Sequence, residues 1–244
     1  MIEEALDAYL LATADEREPD GYFHPSSLFS CDRMAVYEQT GMPRSDAKAG
    51  KDYIPLEMGK LIHTLLQSSV THMADTERVQ EVWHEVKVII PPLNVKGSAD
   101  SLIRFEDGSY EVEEFKSTKS AGIKYAKGGF KPKEEHVNQG LTYTYGMRYF
   151  PWYTEHTMPD GTVVTTRHEP IGARLTRLRV TYFGKDAGEI LEFPYTITPE
   201  WEAWFVEFMR KLNGAEELPD RKPEKDWLCK GYCSWRSLCW GKGE

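Results

Sequence analysis

Gly97-Ser98-Ala99-Asp100, the pair Asp107-Gly108, and Glu113-Glu114-Phe115-Lys116 are the residues on which the reading of this chain turns. The segments 95–104 and 109–116 both have strand character, and the Asp-Gly pair between them is a strong hairpin signal. Side chains alternate faces along a strand, so Glu114 and Lys116 point one way while Glu113 and Phe115 point the other. Pairing through the turn brings Asp100 close to Glu114. Two carboxylates converging at strand ends can hold a hard divalent cation such as Mg²⁺ through oxygen ligands. A lysine beside them can orient or help activate a water molecule and balance developing phosphate charge. Taken alone, a glutamate and a lysine two residues apart read as a solvated strand face. The weight comes from the aspartate across the hairpin and from the basic loop that follows.

Working outward, residues 2–14 show helical spacing of Ile2, Ala5, Leu6 and Leu10. Pro25-Ser26-Ser27 offers an N-terminal cap for a helix through Tyr37, closed by Gly41. Residues 46–52 read as a loop, and residues 55–73 as a helix with Leu61, Leu65 and Leu66 on its apolar side. A strand over 82–90 stops at Pro91-Pro92. Beyond the hairpin, residues 134–149 read as a helix, which Gly140 and Gly146 weaken. Asp160-Gly161 suggests a second hairpin turn, and strands follow at 174–183 and 189–197. Thr198-Pro199-Glu200 starts a further helix with a capping hydroxyl and a proline, running to Leu212 and stopping at Gly214. The order predicts an α/β (α+β) fold in which helices flank a mixed central sheet.

The chain has 244 residues, 28% charged and 40% hydrophobic, ordinary for a globular protein with one well-buried domain. No apolar stretch approaches the roughly 20 residues needed to cross a bilayer. The acidic, amphipathic N-terminus does not read as a secretory signal, so the expected location is the cytoplasm. A net charge of −9 argues against a protein that coats nucleic acid by electrostatics alone. The sign varies by region: between Phe115 and Lys133 stand six lysines (116, 119, 124, 127, 131 and 133) and no acid. That run reads either as a solvated loop or as a phosphate contact, and Tyr125 and Phe130 within it could stack on unpaired bases. Arg177 and Arg179 share one strand face, either solvated or lining a DNA groove.

Asp100, Glu114, Phe115 and Lys116 together resemble the catalytic signature of the PD-(D/E)XK nucleases, and their surroundings resemble the RecB-like branch of that family. Gly59-Lys60-Leu61-Ile62-His63 is similar to the upstream histidine motif of that branch, and Gln139 and Tyr143 to its glutamine–tyrosine pair on the following helix. These elements cover residues from about 55 to 150. The resemblance implies a restriction-endonuclease-like core. In it Asp100 and Glu114 ligate Mg²⁺ or Mn²⁺, with His63 and the Phe115 backbone carbonyl as further ligands. Lys116 would position the attacking water, and Gln139 and Tyr143 would orient the lysine or hold the DNA backbone. Lys119, Lys124, Lys127, Lys131 and Lys133 would contact DNA. The proline that gives the family its name is replaced by Ala99.

Cys31, Cys229, Cys233 and Cys239 complete the pattern. Clustered cysteines in an intracellular protein favour metal over disulfides, and four thiolates satisfy either a [4Fe–4S] cluster or a structural Zn²⁺. One cysteine before the nuclease core and three after it resembles the iron–sulfur members of the RecB-like group, including CRISPR-associated and AddB-type nucleases. On that resemblance the cluster is expected to tie residues 26–41 to residues 200–244 around a core at about 55–200, within one domain spanning 1–244. The three tryptophans at 227, 235 and 240 read as packing for the cluster rather than as a base-stacking platform. The expected function is a metal-dependent DNA exonuclease acting on ends or single strands in recombination, repair or CRISPR adaptation, with a recombination or adaptation protein as a possible partner and oligomers open. The alternative is a non-catalytic subunit that grips DNA ends.

Overall fold

A computed structural model of the chain describes residues 1–14, 18–74, 78–119, 121, 123, 132–186, 188–222, 226–231 and 233–241. Its centre is a seven-stranded sheet in the order β5-β4-β1-β2-β3-β6-β7. The strands are β1 (Val79–Ile90), β2 (Val95–Phe105), β3 (Tyr110–Thr118), β4 (Trp152–Thr157), β5 (Val163–His168), β6 (Leu175–Gly184) and β7 (Ile190–Thr196). Among the seven strands described, β3 and β6 pair in parallel and the other ladders are antiparallel. A parallel pair needs a crossover, and the chain between β3 and β6 supplies it. The predicted mixed sheet with flanking helices is therefore present.

Helices cover both faces. α1 (Ile2–Thr13), α2 (Pro25–Leu28), α3 (Asp32–Gln39) and α4 (Ile54–Met73) precede the sheet, and α5 (Glu134–Tyr149) follows β3. α6 (Pro199–Asn213), α7 (Asp226–Gly231) and α8 (Arg236–Trp240) end the chain. One core packs Leu141 and Met147 of α5 and Phe205 and Met209 of α6 against Val86, Val88, Leu102, Val112, Leu178 and Val180. The opposite face packs Ile62, Leu66 and Val70 of α4 against Val79, Ile103 and Phe115. Each fully buried side chain of this size contributes about 1.5–3 kcal/mol.

The two glycines that weakened the prediction of α5 are the reason it can lie so close to the sheet. A Cβ at Gly140 would sit 2.5 Å from Leu178 Cδ1, and one at Gly146 would collide with Val88. The start of α6 follows the sequence expectation. Thr198 Oγ1 accepts the Trp201 N–H at 3.3 Å, acids fill the first turn and Arg210 and Lys211 the last, matching the helix dipole.

Two expectations are corrected. The helix expected from Pro25 through Tyr37 is broken: α2 ends at Leu28, and Cys31 is extended (φ −157°, ψ 110°) as the N-cap of α3. The break places the Cys31 thiol beside the tail. In α4, Leu66 is buried but Leu61 and Leu65 are 66% and 56% exposed, because Ile62, Leu66 and Val70 form the stripe that meets the sheet.

The tail docks on this layer through specific bonds. Ser237 donates its N–H and hydroxyl to Asp46 at 2.8 and 2.5 Å, and Ser45 and Asp46 donate their N–H groups to the Ser234 carbonyl. Trp235 is buried against Tyr37 and donates its indole N–H to the Met42 carbonyl at 2.9 Å. Among the described residues no helix is long and apolar enough to cross a membrane.

Candidate active site

The β2–β3 ladder runs from Arg104↔Tyr110 only to Ser101↔Glu113. Beyond that point β2 stays with β1 and β3 stays with β6, so the two central strands part. Asp100 is the first β2 residue inside the opening, where its Oδ2 accepts the freed Phe115 N–H at 2.6 Å. Its Oδ1 lies 3.2 Å from His63 Nδ1, presented by α4. Glu114 and Lys116 share the α5 side, as alternation along β3 requires, and Lys116 Nζ donates to Glu114 Oε1 at 2.5 Å. Lys116 also donates to Gln139 Oε1 at 3.0 Å, and Gln139 Nε2 donates to the Tyr143 hydroxyl at 3.4 Å. Phe115 and Glu113 take the other face: Phe115 packs edge-on to His63, and Glu113 meets Arg179 and Thr181.

The residues proposed for catalysis from the sequence thus lie in two adjoining sets, Asp100 with His63 and the Phe115 N–H, and Glu114 with Lys116, Gln139 and Tyr143. Glu114 is 1% exposed, and its Oε2 has no hydrogen-bond partner. Burial pushes its carboxyl up to about 8, against the pull of the Lys116 ammonium; the Asp100 charge adds to the rise. Burial lowers the His63 imidazole, but the bond to Asp100 and the charges of Asp100 and Glu114 together outweigh it, and the net shift is upward. A buried carboxylate oxygen without a donor is costly unless a proton or a cation completes it. Hard oxygen donors from Asp100 and Glu114, beside an imidazole, fit a Mg²⁺-class ion in chemistry. Lys116 and His63 occupy those oxygens as internal partners here. Among the described residues no three His, Cys, Asp or Glu side chains stand close enough to share one ion.

The flank of the site holds two residues that the sequence reading missed. His136 Nδ1 lies 2.7 Å from the Tyr182 hydroxyl, which also accepts the Lys133 N–H at 3.2 Å. Burial, with the Lys116 and Lys133 charges, holds the His136 imidazole down to about 2, so it is neutral. No spacing rule would have paired residues 46 apart. Of the five lysines assigned to DNA, Lys119 is exposed. Lys133 lies 5.0 Å over the Trp227 ring and 3.7 Å from Glu135. Lys124, Lys127 and Lys131, with Tyr125 and Phe130, lie outside the described residues. Arg179 is committed to Glu111, Glu113 and Glu192, and Arg177 lies near Glu111 and Ser109, so this face is an internal ion network.

The four cysteines form no disulfide, and all are half-buried. The Cys233 thiol is pushed up to about 11, first by burial and then by the charges of Cys229, Cys31 and Cys239. Cys233 thus feels the other three, and Arg33 feels both Cys31 and Cys239.

Strands that part over a carboxylate pair and a lysine, inside a mixed sheet flanked by helices, define a restriction-endonuclease-like fold. The family model of the PD-(D/E)XK nuclease superfamily matches residues 32–240, and the chain belongs to that superfamily. Among solved structures, SSO0001 is 17% identical with a TM-score of 0.56, covering 100% of this chain and 98% of its own. LHK-Exo in complex with dAMP is 13% identical (TM-score 0.49), and the alkaline exonuclease LHK-Exo from Laribacter hongkongensis is 15% identical (TM-score 0.45). Each covers 93% of this chain and 96% of the other. No curated protein matches the chain.

Proposed function

We propose that this protein is a Mg²⁺- or Mn²⁺-dependent DNA exonuclease acting on ends or single strands. The observation that carries this reading is the buried Glu114 carboxylate, with one oxygen on Lys116 and the other without a partner, at the point where β2 leaves β3. Asp100, Glu114, His63 and the Phe115 carbonyl hold the ion. When bound, the ion supplies Lewis-acid stabilisation of the phosphoryl oxygens. Lys116, steadied by Gln139, orients water toward phosphorus and offsets charge as it develops. Gln139 and Tyr143 are both buried, which suits them to orienting the lysine rather than touching the strand. Lys119 and Lys133, with the exposed Trp227 ring, mark the path of the strand away from the site.

The four thiols hold a [4Fe–4S] cluster in this reading, tying α3 to the tail within one domain. What supports it is one cysteine before the core and three after it, with Cys233 under the influence of the other three. The biological setting is recombination, repair or CRISPR adaptation.

The test is to add Mn²⁺ to purified protein with DNA labelled at either end. Product from wild type and none from Lys116→Ala supports the reading, and the label position gives the polarity. No product from wild type, with retained binding to DNA ends, would replace it with a non-catalytic end-binding subunit.

A further inference from the structure

Glu85 stands in the middle of β1 with φ +51°, a left-handed conformation uncommon for a residue other than glycine. The ladder pairs His84↔Ser101 and Val86↔Ala99 on either side, while Glu85 and Asp100 between them form no ladder pair. Side chains two apart on a regular strand share a face. Here Val86 and Ala99 enter the core under α5, whereas His84 bonds to the Ser101 hydroxyl at 2.7 Å and to Thr71 of α4 at 2.8 Å. Both strands therefore change phase at one level. The change lets Asp100 face His63 while Leu102, two residues on, returns to the α5 core.

Specific bonds hold this irregularity. Glu85 Oε1 accepts from Gln67 Nε2 at 2.8 Å, and its Oε2 accepts from the Ser98 hydroxyl at 3.1 Å. The same Gln67 amide donates to the Asp100 carbonyl at 3.1 Å, standing in for the missing ladder bond. Gln67 lies one helical turn beyond His63, so one face of α4 grips Asp100 twice, by carboxylate and by carbonyl. Strain kept at a site of this kind persists only where its surroundings impose it, and it serves preorganisation.

We propose that Glu85 and Gln67 are positioning residues that hold Asp100 in its cation-binding orientation, Glu85 by keeping β1 in a strained conformation. The inference rests on the metal-dependent nuclease reading. In the full chain, Glu85→Gly removes the carboxylate and leaves a residue at ease with positive φ. It is expected to retain the melting temperature, to lower kcat about 10- to 100-fold with little change in KM for DNA, and to weaken Mn²⁺ binding by a similar factor in calorimetry. Gln67→Ala should lose as much, and the double variant little more, because both act on Asp100 together. Wild-type kcat and Mn²⁺ affinity in Glu85→Gly would overturn the proposal. So would losses that follow the melting temperature across Glu85→Gly, Glu85→Ala and Gln67→Ala. If wild type binds Mn²⁺ through Asp100 but cleaves nothing, the nuclease reading fails, and Mn²⁺ affinity alone decides the role of Glu85. A wild-type chain that binds no Mn²⁺ overturns both.

Discussion

Lys116 lies 2.5 Å from one oxygen of Glu114, and the second oxygen of that carboxylate is buried without a partner. The pair is two residues apart on one strand, so the backbone fixes the approach of the side chains. Gln139, reaching down from α5, takes a second proton of the same ammonium at 3.0 Å. The lysine is thus the present partner of Glu114, and in the proposed nuclease reading it is also the group that faces the phosphate.

That double role predicts opposite effects of one substitution. Lys116→Ala should reduce cleavage about 10²- to 10³-fold, the usual cost of removing one group that stabilises developing charge. Mn²⁺ affinity should hold or rise, because Glu114 loses its internal competitor. Calorimetry beside a gel-based cleavage assay separates the two, and loss of both together would assign Lys116 to folding instead.

The α4 helix shows why part of the fold was legible and part was not. Ile54, Met58, Leu61 and Leu65 recur at one helical spacing, and Ile62, Leu66 and Val70 at another. Periodicity announces the helix but cannot choose between two apolar stripes; the sheet chooses, and it takes the second. The Asp100–Glu114–Lys116 set was readable because hairpin pairing and strand alternation are local rules. The φ of Glu85 and the Tyr182–His136 contact were not, since both depend on strands meeting far along the chain. Leu66→Ala should therefore cost about 2–5 kcal/mol in urea unfolding, while Leu65→Ala stays within about 0.5 kcal/mol.

The cysteines call for a separate measurement, because they lie on the tail side of the fold and none is among the residues contacting Asp100 or Glu114 in the bonds described. Protein purified without oxygen should be coloured and contain iron, and Cys233→Ala should lose both. Melting temperature should fall as the tail loosens from Tyr37 and Asp46. Residual Mn²⁺-dependent cleavage at low temperature should survive. Colourless wild-type protein with stoichiometric zinc would reassign the ligand.

Lys133 and Trp227 bring a core element and the tail together at a ring-to-cation distance of 5.0 Å, with Trp227 two residues before Cys229. If a strand leaves the site over this pair, Trp227→Ala should raise KM for single-stranded DNA about tenfold, since stacking on one base is worth roughly 1–3 kcal/mol. Trp227→Phe should restore most of the loss and kcat should hold. An equal loss in Ala and Phe variants would point to packing of the tail.

Asp20 provides a pH test remote from the catalytic carboxylates. Its carboxylate bonds Lys96 at 2.9 Å and His24 at 3.0 Å, fastening the segment before α2 to β2. Burial opposes the charge, but these bonds prevail and hold the carboxyl down to about 2 from 3.8. A carboxyl depressed in the folded state stabilises the fold above its unfolded value, and that stability is lost as pH falls through the folded value. The contribution, about 1 kcal/mol after solvent screening, should be complete above about pH 5 and vanish toward pH 2. Urea unfolding of wild type and Asp20→Asn should differ by that amount at pH 7 and converge between pH 4 and 2. A difference that persists at pH 2 would show that Asp20 acts through packing and not through its charge.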